Sequence, residues 1–226
     1  TFSKINLQIN RIINKNFLEG ISHVKKTGIK KFFLINLGDL KSDILFFDNS
    51  VFKYSESFNF GTHILKKDVC KVCSLSISNV EKIFSKINFN NSQINDEILL
   101  NKEYFSGDLY RKISMKHIKE IIEARLEEIL DLVYMKNINL EYLQNHSTEI
   151  IINIEKENIF QNQSELIKNK FPSHHNIEIV NKTHNDQFIN CEIASELISR
   201  GWENEVISFT RQKKSIISRI FSFFFK

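Results

Sequence analysis

Two short, continuous apolar runs constrain the fold of this chain most strongly. Residues 32–37 read Phe-Phe-Leu-Ile-Asn-Leu, and residues 149–154 contain four isoleucines. Runs of this length without polar alternation are typical of buried strands. Longer stretches with helical periodicity lie before, between and after them. The order of these segments predicts an α/β fold with a mixed sheet and flanking helices.

Shorter segments complete the predicted sheet. Residues 5–9, 43–47 and 177–180 are apolar segments of strand length. The turn Asp48-Asn49-Ser50 joins the second of them to a further strand at residues 51–58. This pattern predicts a β-meander beside helices.

Helical patterns occupy much of the remaining chain. Residues 16–26 end before Gly28, a residue common after helix C-termini, and residues 64–86, 164–171 and 188–199 are also helical in pattern. The most regular helix spans about residues 114–135, where Ser114 fits an N-cap. One face of it is apolar and the other acidic, through Ile118, Ile121, Ile122, Ile129 and Val133 against Glu120, Glu123, Glu127 and Glu128.

The excess positive charge of the chain is confined to its last residues. The formal net charge is +4, but residues 211–226 alone carry +5 with no acid, which leaves −1 for the rest. A basic segment of this kind indicates a localised anionic partner and not a body that wraps nucleic acid. The dense phenylalanine run in the same segment also argues against nucleic acid.

Residues 215–226 predict an amphipathic helix that lies on a membrane surface. At about 100° per residue, the large apolar side chains fall on one arc of roughly 200°. Lys213, Lys214 and Arg219 supply positive charge for an anionic leaflet. The alternative is a helix docked on the protein's own body or on another protomer. The apolar arc consists of Ile216, Ile217, Ile220, Phe221, Phe223, Phe224 and Phe225.

Cysteine spacing and hydropathy argue against a zinc protein and against a membrane-spanning protein. Cys70 and Cys73 lack a second Cys or His pair at zinc-site spacing, so we expect no metal and two small buried residues one helical turn apart. The composition, 42% hydrophobic and 26% charged, is that of a globular protein. No apolar run reaches the roughly 18 residues that span a bilayer. The first residue is Thr1, which is consistent with a fragment of a longer chain.

Several motifs resemble those of actin-like ATPases. Residues 35–44, Ile-Asn-Leu-Gly-Asp-Leu-Lys-Ser-Asp-Ile, resemble their second phosphate-binding hairpin, I-D-x-G-G-G-T-T-D-I. Residues 60–68 resemble the segment that opens the next helix, and residues 80–83, Val-Glu-Lys-Ile, resemble the A-E-x-I helix. Residues 121–130 are similar to the I-E-x-R-x-E-E-I helix of the bacterial cell-division protein FtsA, whose members also end in a basic amphipathic segment. These motifs and the C-terminal segment together resemble FtsA more than relatives such as MreB or the Hsp70 group. The resemblance implies the second lobe of an actin-like (RNase H-like) fold.

The resemblance implies a nucleotide site whose residues are eroded here. A phosphate-binding hairpin offers backbone N–H groups and an acid that positions the metal-bound water. Asn36 replaces that acid, and one glycine of three remains. Residues 153–155 replace a T-G-G turn, and Phe84 replaces a lysine. The positions at which a contact could persist are Gly38, Lys41, Ser42, Asp43 and Glu81.

We therefore predict no saturable binding of ATP with Mg²⁺, no hydrolysis and no catalytic residues. Lys41 could still meet a phosphate as a point charge, so ATP with magnesium is the one cofactor to test.

Arg125 and Glu128 are three residues apart and share a helix face. By spacing alone, they are an exposed ion pair that stabilises the helix by about 0.3–0.5 kcal/mol. In FtsA proteins the matching helix receives the C-terminal tail of the tubulin homologue FtsZ. The resemblance implies that Arg125 and Glu128 bind this tail, with Arg111 as a third contact.

The predicted organisation has four parts. Residues 1–63 and 146–210 form the two halves of subdomain 2A, residues 64–145 a 2B-like insertion, and residues 211–226 the membrane-binding tail. The predicted function is tethering of FtsZ filaments to the cytoplasmic face of the plasma membrane at the division site. The alternative is an ATP-dependent polymerizing actin-like protein whose first lobe is missing from this chain. Self-association is a further interaction to test, and nucleic acid is not expected.

Overall fold

The apolar run at residues 32–37 forms the central strand of a five-stranded sheet. The computed structural model describes residues 12–86, 98–144, 148–154, 163–172, 175–181 and 185–200. The strands are β1 (Phe32–Leu37), β2 (Ser42–Asp48), β3 (Val51–Phe58), β4 (Glu149–Ile154) and β5 (Ile177–Asn181). Their order in the sheet is β3-β2-β1-β4-β5. The first three pair antiparallel as a meander, whereas β4 pairs parallel with both β1 and β5.

Helices connect and flank the strands. They are α1 (Lys15–Thr27), α2 (His63–Cys73), α3 (Ile77–Lys86), α4 (Met115–Leu130), α5 (Gln163–Asn169) and α6 (Asn185–Arg200). A short 3₁₀ turn (Lys102–Phe105) precedes α4, and a π-helical turn (Asp131–Met135) extends it.

The sheet carries helices on both faces because successive residues of each strand point to opposite sides. Phe33 and Ile35 pack in the large cluster that contains the buried residues of α2, α3, α4 and α5. Phe32 and Leu34 instead pack toward Phe17 and other residues of α1. On that side α6 packs against α1, with Ile193 and Leu197 beside Leu18 and Ile21. The helices therefore form two separate layers, α1 and α6 on one face and α2 to α5 on the other.

Most predicted elements are confirmed, and their ends have the expected chemistry. Gly28 follows α1 with φ of 73° and donates its N–H to the carbonyl of Val24. The hydroxyl of Ser114 accepts the N–H of His117 at 3.2 Å, as an N-cap does. The predicted turn between β2 and β3 has positive φ at Asn49 and Ser50, which suits a tight hairpin.

The helix predicted at residues 64–86 differs in the structure. The helical pattern at residues 64–86 is two helices, because Ser74 adopts φ of 47° and ends α2. Asp108 then accepts the N–H of Ser76 at 2.9 Å just before α3. Leu99 and Ser114 form an isolated antiparallel bridge. The predicted strand at residues 5–9 and the predicted tail at residues 211–226 lie outside the described residues.

One sheet combines strands from two separate parts of the chain, residues 32–58 and 149–181. The helices α2, α3 and α4 lie between these parts in the sequence. The subdomain limits given above remain predictions.

Candidate functional site

The β1–β2 turn is fixed by its carbonyl groups. Gly38 donates its N–H to the carbonyl of Lys41 at 3.0 Å. The carbonyl of Gly38 accepts the N–H of Thr62 at 2.9 Å, and that of Asp39 accepts the N–H of His63 at 3.0 Å. Side chains repeat both contacts, since the Thr62 hydroxyl and the His63 ring also reach these oxygens. The N-terminus of α2 thus holds the turn in place.

Gly61 permits this close approach. A Cβ atom at Gly61 would lie far inside van der Waals contact with the carbonyl oxygens of Gly38 and Asp39. A glycine is needed here for space, and its φ is not in the left-handed region.

Three N–H groups at the tip of the turn have no partner among the described residues. The N–H groups of Asp39, Leu40 and Lys41 lack an acceptor there, and all three residues are exposed. The backbone of the predicted phosphate hairpin therefore keeps donors at its tip. Asp39 adds a carboxylate and Leu40 a large side chain at that tip, and both oppose the approach of a phosphate.

Three of the residues predicted to bind nucleotide either pair with another side chain of this chain or are buried. Asp43 Oδ1 accepts the Ser57 hydroxyl at 2.5 Å, and Glu81 pairs with Lys66 of α2 at 3.1 Å. Ser42 is buried, and its hydroxyl has no partner among the described residues. Gly38 and Lys41 lie together at the turn with Asp43 close by in sequence, whereas Glu81 is on α3, next to α2.

The residues near the turn do not fit a magnesium–nucleotide group. Asn36 stands where the resemblance places the acid, and it is 4% exposed. Its amide nitrogen donates to Asn16 Oδ1 and to Glu19 Oε2, each at 3.1 Å. Its oxygen accepts the amide of Asn153 at 2.9 Å. This side chain offers no carboxylate, and all three of its polar functions are directed at protein partners.

The structure also places the two cysteines of α2. Cys73 is buried as predicted, whereas Cys70 is half-buried at the edge of the same apolar cluster. Burial raises the pKa of both thiols. Among the described residues, no group of three or more His, Cys, Asp or Glu side chains is arranged to hold a metal ion.

The predicted partner residues lie on a groove between α2 and α4. Arg125 contacts the carboxylate of Asp68 through Nε and donates from Nη1 to Glu128 Oε2 at 2.5 Å. The groove has a volume of about 600 Å³, and Lys71, Val72, Ile121 and Ala124 complete its lining.

A second depression of about 520 Å³ adjoins this groove at Val72, which lines both. It contains Arg111, whose Nη2 donates to the carbonyl of Ser74 at 2.8 Å. Leu99, Lys112 and His117 lie on its rim or floor. Arg125 and Glu128 therefore line one depression and Arg111 the adjoining one, and the two together are called here the α2–α4 groove.

Sequence reasoning missed Asp68 and Val72 as parts of this groove. Asp68 is 57 residues from Arg125, and only the packing of α2 on α4 brings the two together. Val72 is 55% exposed, although it lies on an amphipathic helix. The available signal was that α2 carries apolar residues outside its buried stripe of Leu65, Val69 and Cys73, and Val72 is one of them.

Comparison with solved structures identifies the fold. MreB5 of Spiroplasma citri bound to ADP matches with a TM-score of 0.59 and 15% identity, over 90% of this chain and 65% of that chain. The same protein bound to AMPPNP matches with a TM-score of 0.53 and 15% identity, over 80% of this chain and 59% of that chain. The chain has an actin-like fold.

This actin-like chain spans less than two thirds of the length of the MreB5 chains it matches. No protein-family model and no curated protein matches its sequence. The comparison confirms the predicted actin-like fold, and the choice of FtsA within that fold stays a prediction. Among the described residues, no helix is long and apolar enough to cross a membrane.

Proposed function

We propose that this chain is an adaptor of the FtsA kind, which tethers FtsZ filaments to the cytoplasmic face of the plasma membrane at the division site. The observation that carries the proposal is the α2–α4 groove, whose two adjoining depressions contain Arg125, Glu128 and Arg111. The predicted amphipathic tail supplies the membrane attachment.

The lining of the groove suits an extended peptide that carries carboxylates and apolar side chains. Lys71, Arg111 and Lys112 are exposed cations, and Val72 and Leu99 are exposed apolar residues between them. Two carboxylates engage Nε and Nη1 of Arg125 and leave further N–H donors on its guanidinium group. These donors can bind a partner's carboxylate, and the exposed cations Lys71, Arg111 and Lys112 offset the negative charge of Asp68 and Glu128.

The position of α6 supports simultaneous attachment to a membrane. This helix leads in the chain to the basic tail, and it packs on α1, across the sheet from α2 and α4. Attachment through the tail leaves the groove on the other face of the sheet.

Binding of a synthetic FtsZ C-terminal tail peptide tests the groove. We expect Arg125→Glu to lower the affinity at least about 30-fold, as substitution of a central charged contact does. The measurement is fluorescence anisotropy of the labelled peptide. Lys136→Glu is the matched control, because it makes the same charge change on an exposed side chain just beyond α4. Equal affinity of Arg125→Glu and wild type would remove this assignment.

A second candidate function is ATP-dependent polymerization together with a first lobe on the same or another chain. The specific observation in its favour is that the N–H groups of Asp39, Leu40 and Lys41, at the exposed tip of the β1–β2 turn, have no acceptor among the described residues. Calorimetry with Mg²⁺ and ATP tests it directly. A micromolar dissociation constant would support this candidate, and the absence of heat of binding would leave the nucleotide-free adaptor.

A further inference from the structure

A buried polar network joins α1 to the ends of β1 and β4. Asn36 and Asn153 are paired in register on neighbouring parallel strands, and both face α1. They are 4% and 8% exposed, and the Glu19 side chain beneath them is 9% exposed. Asn16 and Glu19 supply the oxygens from α1, and Lys15 lies 3.8 Å from the Glu19 carboxylate.

The network requires an amide at residue 36. Both N–H groups of Asn36 point at oxygen acceptors, and its own oxygen accepts from Asn153. An aspartate there would keep the contact to Asn153. Its second oxygen, in place of the amide nitrogen, would face both Asn16 Oδ1 and the Glu19 carboxylate, so two hydrogen bonds would become repulsions in a buried site.

We propose that Asn36 is the centre of a lock that fixes α1 on the sheet without nucleotide. The lock consists of Asn16, Glu19, Asn36 and Asn153, and it occupies the position at which the resemblance expects a metal-directing acid. The lobe therefore keeps its conformation whether or not ATP and Mg²⁺ are present. This proposal does not depend on the adaptor function, because neither the α2–α4 groove nor the tail contains a residue of the lock.

Thermal unfolding of the full chain, with Asn36 replaced by aspartate, tests the lock. We expect Asn36→Asp to lower the melting temperature by roughly 6–15 °C at about pH 7.5. Asn59→Asp, which adds the same charge at an exposed residue, should change it little.

The double variant Glu19→Gln with Asn36→Asp decides between a lock and a general intolerance of substitution. It exchanges donor and acceptor within the pair, so we expect it to recover most of the lost melting temperature. Failure of the double variant to recover, or an Asn36→Asp chain as stable as Asn59→Asp, would overturn the lock. If Asn36→Asp alone does not fold, folding of the double variant gives the same answer.

A nucleotide titration completes the test. Mg²⁺ with ATP should leave the melting temperature of the wild-type chain unchanged. A saturable increase would show that nucleotide stabilises the lobe, and the proposed independence would be wrong. Peptide and liposome binding are measured separately, so the adaptor function can fail while the lock survives.

Discussion

At the scale of single residues, Gly61 determines how closely the β1–β2 turn approaches α2. The carbonyls of Gly38 and Asp39 approach the start of α2 so closely that only a hydrogen fits at the Gly61 Cα. Those carbonyls then accept the first N–H groups of the helix. One missing side chain therefore allows the two segments to satisfy each other's backbone groups.

Gly61→Ala should destabilise the chain by about 2–3 kcal/mol, because the new methyl group must displace backbone. Gly28→Ala is the comparison. Its φ of 73° is strained for alanine, but the site is open, so the cost should be about 1 kcal/mol. Urea unfolding of both variants measures the difference. Equal losses would mean that the turn moves away from α2 without strain.

For single residues, the sequence predicted the secondary-structure position better than the side-chain partners. Gly38, Lys41 and Asp43 were placed on a hairpin, and they lie on one. The partners of Asn36 could not be predicted, because Asn16 and Glu19 belong to a helix whose docking angle is set by packing and not by local pattern. The same limit applies to Asp68 beside Arg125.

At the scale of elements, α4 shows which interaction holds a helix in place. Its buried face contains Ile118, Ile122 and Leu126, each 0% exposed. Its polar contacts to α2 pass through Arg125, whose side chain is 33% exposed. Apolar burial stabilises this helix by several kcal/mol, whereas a partly exposed ion pair contributes on the order of 1 kcal/mol or less.

Leu126→Ala should therefore destabilise the chain by about 2–5 kcal/mol, and Arg125→Ala by less than about 1 kcal/mol. Chemical denaturation of the two variants, which change adjacent residues of one helix, makes the comparison. If Arg125→Ala were as destabilising as Leu126→Ala, the Asp68–Arg125–Glu128 contacts would be structural, and loss of peptide binding could no longer be assigned to the groove.

Helices and strands were predictable where the sequence follows a single hydrophobic pattern. β1 and β4 are continuous apolar runs and were located at their observed residues. The N-cap located the start of α4 within one residue, whereas the last five residues of the predicted helix form the π-helical turn. The break between α2 and α3 was not visible, because it depends on Ser74 in a left-handed conformation that serine rarely adopts. The helical period continues through it without a glycine or proline.

At the scale of the whole molecule, the sheet separates the α2–α4 groove from α6. The groove belongs to the layer on one face, and α6, which precedes the basic tail in the sequence, belongs to the layer on the other. This arrangement suits the proposed tether, since a filament and a membrane must be held at the same time.

The arrangement predicts that a liposome-bound chain recruits the FtsZ tail peptide. With anionic liposomes, we expect the labelled peptide to sediment only in the presence of the chain, with the same affinity as in solution. A chain without residues 213–226 should bind the peptide but leave it in the supernatant, and Arg125→Glu should sediment without it. Because about 1 kcal/mol per basic residue comes from the anionic surface, high salt should weaken sedimentation. Sedimentation of the chain with a large loss of peptide affinity would show that the tail and the groove compete, and the tail would then dock on the protein's own body.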